Sequence, residues 1–223
     1  MAGSLVDEAD GTSLVDPTPR LTGVIYLMRH GHTVLDVDKR SDGFLDFPLS
    51  DKGRLGVIEA QQYLKTVPLS YIRTAPLKRT VETAEIVKSG TVSDPKIQTD
   101  DDGRTWNLGI LAGTAKKISK PLVRELMANP TQRPPSGESY NEFLARFIPW
   151  FEKNCTAPVL KNGKPILYVG SGSNLRALGQ NFVSDMDALD LDEGGLAMLY
   201  FVGNGPWQIE VILGEDDSGD QVS

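Results

Sequence analysis

An unbroken apolar run, Val24-Ile25-Tyr26-Leu27-Met28, ends abruptly at Arg29-His30-Gly31-His32-Thr33. Bulky apolar residues without alternation suit a strand covered on both faces, which requires helices on both sides of a sheet. Ligands of such open α/β sheets bind just beyond the carboxyl ends of the strands. The pentapeptide holds an arginine and both histidines of the chain, so reactive side chains fall where a ligand would sit. Five residues alone also fit a surface turn that happens to carry Arg and His.

The pattern downstream repeats the alternation of strand and helix. Gly23 to His30 reads as the first strand, and Asp46-Phe47-Pro48-Leu49 as a loop. Ser50 reads as an N-cap, its hydroxyl able to accept from free backbone amides of a helix running to about Thr66. Leu69 to Thr74 is a short strand, Leu77 to Ser89 a helix stopped by Gly90, and Lys96 to Thr99 a third strand. Residues 103–136 have weak periodicity and several Gly and Pro, and are a possible cap segment over a site. Ser139-x-x-Glu142 is a capping box opening a helix to about Asn154, in which Pro149 should kink or end the regular part. Pro165 to Gly170 is a strand and Asn174 to Val183 a helix. Gly195 to Val202 and Gln208 to Leu213 read as a hairpin around Gly203-Asn204-Gly205-Pro206. The expected fold is α/β: a three-layer sandwich with a mostly parallel sheet and an antiparallel edge.

Charge says little about partners. The net charge of −7 is carried by two acidic tails, residues 1–20 and 214–223, expected to be disordered, while the body at 21–213 is balanced. There is no basic stripe for nucleic acid and no stretch long and apolar enough for a membrane span. No secretory signal is read at the N-terminus, and the lone Cys155 fits a reducing, cytoplasmic setting. No Cys/His cluster suggests a metal, and none is expected. The sequence does not fix an oligomeric state.

Five collinear blocks then narrow the reading: Arg29-His30-Gly31 with Thr33, Arg40, Gly43, Asp46, Pro48-Leu49-Ser50 and Gly53; Thr74 to Glu85 around Arg79; Gly109-Ile110-Leu111-Ala112-Gly113; Pro135-Ser136-Gly137-Glu138-Ser139; and Val169 to Leu178. Together they resemble the histidine phosphatase superfamily, the phosphoglycerate mutase-like enzymes, over roughly residues 22–213. The resemblance implies that fold, no cofactor, and a phosphorylated small molecule or inorganic phosphate as ligand. It implies His30 as nucleophile, forming a phosphohistidine, with its other ring nitrogen held by a backbone carbonyl. Arg29 and Arg79 are the phosphate forks, since planar guanidinium donors match phosphate oxygens two at a time. Thr33, Arg40 and Gly172 fall at pocket positions, and His32 at a variable rim position that a solvated loop histidine would equally explain.

Three departures from the family pattern bear on activity. The second family histidine falls at Ser171, which offers one neutral hydroxyl in place of an imidazole. That change is consistent with a replacement made to trap a ligand, or with a natural protein reduced to binding or using a slower route. The glutamate that many members carry before the Gly-x-x-x-Gly block is Thr105 here, which leaves Glu138, the Asp100-Asp101-Asp102 run and Asp36 as general-acid candidates, Glu138 preferred. Asp36 itself stands where mutase-like members often have Asn, and its charge would repel a phosphate dianion unless it points away or is protonated. The expected function is phosphomonoester hydrolysis through His30, impaired by Ser171. The alternatives are a phosphate-binding pseudoenzyme and, less favoured, mutase-type phosphotransfer.

Overall fold

The computed structural model describes residues 21–214. The acidic tails named above fall outside the described residues, apart from Gly214. In chain order the elements are β1 (Leu21–Arg29), the single turn α1 (Val34–Val37), α2 (Asp51–Leu64), β2 (Tyr71–Thr74), α3 (Lys78–Gly90), β3 (Lys96–Thr99), α4 (Lys116–Ala128), α5 (Tyr140–Phe151), α6 (Ala157–Asn162), β4 (Ile166–Gly170), α7 (Gly172–Val183), β5 (Leu196–Val202) and β6 (Gln208–Leu213). The strands form one sheet in the order β3-β2-β4-β1-β5-β6. The first four in that order are parallel, and β5 and β6 add an antiparallel edge. The architecture is the α/β sandwich that the strand and helix pattern predicts.

The continuous apolar strands follow from burial on both sides. Ile25, Leu27, Ile166 and Tyr168 face a core shared with Phe143, Phe147, Leu175 and Leu178 of α5 and α7. Their neighbours Met28, Leu167 and Val169 face the opposite core with Val57, Leu64, Ala84 and Val87 of α2 and α3. Alternate side chains of one strand thus enter two different apolar layers, and the central runs of β1 and β4 are apolar on both faces.

Helix starts follow the capping signals. Ser50 Oγ accepts from Gly53 N at 3.1 Å. Ser139 Oγ accepts from Glu142 N at 3.2 Å, and the Glu142 carboxylate accepts from Ser139 N at 2.8 Å, closing the box. Helix ends depart from expectation. Gly90 is the last residue of α3 and is followed by an extended Thr91, so it does not act as a left-handed stop. A Cβ there would lie 2.4 Å from the Gln61 side chain, so glycine at this point lets α2 and α3 approach. Pro149 does end the regular part of its helix, shortly after, at Phe151. The chain nevertheless stays helical through a wider π-type segment, Glu152–Thr156, and α6, until Gly163 turns left-handed at φ 63°. Within 103–136 the structure contains α4, which has no side-chain cap and carries Pro121 in its interior.

Candidate active site

β1 and β4 are parallel neighbours with Arg29 opposite Gly170. The residues leaving the sheet after them, His30 and Ser171, therefore emerge side by side, and His30 N donates to Gly170 O at 3.0 Å. Above them lies a cavity of about 690 Å³. Arg29, His30, Asp36, Arg79, Ser171 and Gly172 line it.

His30 is almost wholly buried, and its Nδ1 lies 2.9 Å from Gly31 O. A carbonyl can only accept, so Nδ1 carries the proton and Nε2 keeps its lone pair. Burial, then Arg79, then Arg29 hold the imidazole well below its ordinary pKa, so it stays neutral. The loop carrying it is clamped by α2. A Cβ on Gly53 would lie 2.0 Å from His32 O, and one on Gly31 2.6 Å from Gly53 O, so the two backbones meet only because both residues are glycine.

The guanidinium groups are partly committed to the protein and partly unpaired. Arg79 is fully buried and donates from Nη1 to Leu45 O and from Nη2 to Gly43 O, both at 2.8 Å. Arg29 donates from Nη1 to Leu191 O at 2.6 Å and from Nη2 to Glu193 Oε1 at 2.5 Å. What remains are Arg29 Nε, Arg79 Nε and Ser171 Oγ, three buried polar atoms without a hydrogen-bond partner. The amino end of α7 opens into the same cavity through Gly172 and Ser173, and its free amides add positive potential there.

Asp36 neither points away nor takes up a proton. Lys116 from α4 donates to Asp36 Oδ1 at 2.7 Å and to Glu193 Oε1 at 3.0 Å, so an Asp36–Lys116–Glu193–Arg29 chain crosses the cavity. Burial pushes the Asp36 carboxyl up, but the bonds from Lys116 and Thr33 outweigh it and the group sits below its usual value. Glu193 is likewise lowered: burial raises it, and Arg29 and Lys116 more than offset that. Glu193 precedes Gly194, whose φ of 94° turns the chain so that Gly194 N donates to the carbonyls of Arg29 and His30.

Carboxylates lowered in the folded state add stability that is present above their unfolded pKa and is lost as pH falls through the folded value. Lys116→Met should therefore destabilise the protein at neutral pH by about 2 kcal/mol. This is less than the ~3–5 kcal/mol for breaking a fully buried pair, because the Lys116 side chain keeps 24% exposure. The deficit should shrink only as pH falls through the lowered folded-state values, beneath the ordinary carboxylate range, so that it is smaller at about pH 2 than at neutral pH. Urea unfolding of both proteins at the two pH values checks this; an equal deficit at both would dissociate Lys116 from the carboxylates.

The structure corrects several sequence-predicted positions. Glu138 does not line the cavity. Its Oε1 accepts from Asn107 N at 2.9 Å and from Arg146 Nη2 at 2.7 Å, and Arg146 also donates to Arg104 O and Thr105 O. It therefore anchors the Thr105 wall and is not free to serve as an acid. The Asp100-Asp101-Asp102 run is also outside the lining, with Asp101 paired to Arg104. Arg40 reaches out to Gly113 O and ties the α1 loop to the start of α4. Thr33 caps α1 behind the lining. His32 is half-buried, with Nδ1 3.9 Å from Glu193 Oε2. His32, Asp36 and Glu193 bring ligand atoms within 4.8 Å of one another, yet the Lys116 ammonium already bridges the two carboxylates.

Sequence reasoning missed Lys116, Glu193 and Asp42. Lys116 recurs with Ser119, Lys120, Val123 and Met127 on the cavity face of α4, a helical spacing that was legible in principle but masked by the internal proline. Asp42 lines the cavity, and its carboxyl is pushed up to about 6, chiefly by burial and further by Asp36, against the pull of Arg79.

A profile of the histidine phosphatase superfamily, branch 1, matches residues 25–212. A 2,3-bisphosphoglycerate-dependent phosphoglycerate mutase of Protochlamydia amoebophila is 31% identical over 202 residues, covering 76% of this chain and 87% of its own. Among solved structures, Bacillus stearothermophilus YhfR superposes with a TM-score of 0.68 at 26% identity, covering 84% of this chain and 95% of its own. A mycobacterial glucosyl-3-phosphoglycerate phosphatase, solved as a complex with VO3, gives 0.68 at 22% identity over 86% of this chain and 99% of its own. The last likeness bears on fold alone.

Proposed function

The chain belongs to the histidine phosphatase superfamily, branch 1, and from that premise we propose that it hydrolyses a phosphorylated small molecule through a phosphohistidine on His30. The observation that carries this reading is that Arg29, Arg79 and Ser171, each with a buried polar atom lacking a partner, line one cavity with a neutral imidazole. An unsatisfied buried polar atom costs ~1–3 kcal/mol. A phosphoryl group in that cavity would have both guanidinium groups, the Ser171 hydroxyl and the α7 amides around it. His30 Nε2 attacks phosphorus, the ester oxygen leaves, and water then releases phosphate from the imidazole. None of these steps calls on a metal. The single, buried Cys155 fits a cytoplasmic setting.

Mutase phosphotransfer, the activity in the name of the 31% identical relative, would require phosphorylated His30 to be held against water while a product turns over. The described residues show no feature that would shield a phosphorylated His30 from water, and hydrolysis is the simpler outcome. A second reading, phosphate binding without turnover, is supported by Ser171, a neutral hydroxyl beside the phosphoryl position.

The test is turnover of p-nitrophenyl phosphate by the wild-type chain in excess chelator, with calorimetric titration of inorganic phosphate. Release of p-nitrophenol together with an acid-labile, base-stable label on His30 is expected. Phosphate binding with no release would replace hydrolysis by the binding reading.

A further inference from the structure

Expulsion of an alkoxide from a phosphate ester needs a proton at the departing oxygen. With Glu138 outside the cavity and Thr105 in its wall, we infer that Asp42 is the proton donor to the leaving group. This rests on the hydrolytic reading above.

Six carboxylates line the cavity. Asp36 and Glu193 are bound by Lys116 and Arg29, and Asp190 by Arg176 at 2.5 Å. Asp187 and Asp192 are exposed. Asp42 is the one, among the described residues, that is both withdrawn from solvent and without an ion pair. It lies in the turn that Arg79 holds through Gly43 O and Leu45 O, so the arginine that faces the phosphoryl position also fixes this carboxyl beside it.

Among the described residues the Asp42 carboxyl has one hydrogen-bond partner, the Thr33 hydroxyl, which it shares with Asp36. Thr33 Oγ1 has a single hydrogen, yet Asp42 Oδ1 lies 2.9 Å away and Asp36 Oδ2 3.0 Å away. Asp36 is kept ionised by Lys116 and also accepts from Thr33 N at 3.0 Å, whereas Asp42 Oδ2 has no donor among the described residues and is the oxygen free to carry a proton. The charged groups acting on Asp42 are Asp36 after β1, Arg79 of α3 and Lys116 of α4. Burial and Asp36 outweigh the two cations and the Thr33 hydrogen bond and raise its carboxyl to about 6.

In the first step His30 Nε2 bonds to phosphorus, the ester P–O bond breaks, and the Asp42 proton passes to the departing oxygen, leaving an alcohol and ionised Asp42. The Thr33 hydroxyl can then turn to serve that carboxylate. In the second step water attacks the phosphohistidine, its proton returns to Asp42, and phosphate leaves as His30 regains its lone pair.

The experiment compares wild type with Asp42→Asn on two esters and one inert anion. With benzyl phosphate, whose leaving group needs the proton, the variant should lose about 10²-fold in kcat/KM. With p-nitrophenyl phosphate, a good leaving group, the loss should stay within about fivefold. Sulfate, which does not titrate in the range, should bind wild type more weakly by up to about tenfold per pH unit above pH 6, and the variant without that dependence. An equal loss on both esters, or a wild-type sulfate profile as flat as the variant's, overturns the assignment. Absence of any p-nitrophenyl phosphate turnover by wild type instead removes the hydrolytic reading and the proton transfer with it, while the sulfate profile still reports whether Asp42 holds a proton.

Discussion

His30→Asn is expected to lower p-nitrophenyl phosphate turnover by about 10⁴-fold or more, the scale on which removing a covalent nucleophile acts. Asparagine is the informative replacement because its amide N–H can take over the Nδ1 contact to Gly31 O, 2.9 Å in the wild type, and so keeps the loop in place. Sulfate affinity should change by less than about threefold, since Arg29, Arg79 and Ser171 are untouched. A residual rate within tenfold of wild type would remove His30 as nucleophile.

The same variant carries a stability signature. His30 is buried with its pKa well below 6.5, so below that pH the unfolded chain takes up a proton that the folded chain refuses. Wild-type stability therefore falls as pH drops through 6.5, and His30→Asn removes that penalty. Melting temperatures at pH 7 and pH 5 should show a smaller acid-induced drop in the variant. An equal drop would mean that His30 is not held neutral by its surroundings.

How far the sequence announces this molecule depends on where its signals are local. β1 and β4 are legible because burial on both faces forces unbroken apolar runs, and α2 and α5 because Ser50 and Ser139 cap them. His30, Arg29 and Ser171 follow from those strand ends, since parallel pairing of Arg29 with Gly170 brings them together. The rest of the pocket is non-local. Lys116 lies 80 residues from Asp36 and 77 from Glu193, and its helix has neither a cap nor a clean interior to mark it. Asp36 read alone is a charge that repels phosphate; only the fold supplies the ammonium that compensates it. Glu138 fails in the opposite sense. No residue of its segment lines the pocket, and the carboxylate turns to Arg146 and the backbone of Asn107, a placement set by α5 packing that no spacing reveals.

Ser171→His is expected to raise hydrolysis of an aryl phosphate by roughly 10²-fold or more, through electrostatic stabilisation of the transferring phosphoryl group. The position has the right approach. Ser171 directly follows the strand end paired with β1, its Oγ is buried without a partner, and it faces the cavity that holds His30. The neighbouring wall is also open, because a Cβ built on Gly172 meets nothing nearer than Arg176 Nη1 at 3.5 Å and Arg29 Cζ at 3.8 Å. Aryl phosphate is the proper probe because its leaving group makes little demand on Asp42. Asp36→Asn should add nothing to the gain: Asp36 is already neutralised by Lys116 at 2.7 Å, and removing its charge would leave the ammonium with Glu193 alone. If Ser171→His binds sulfate and melts as wild type does, yet gains no turnover, the missing imidazole is not what limits this site. The chain would then be a phosphate-binding member of its superfamily, with Arg29, Arg79 and His30 kept for recognition.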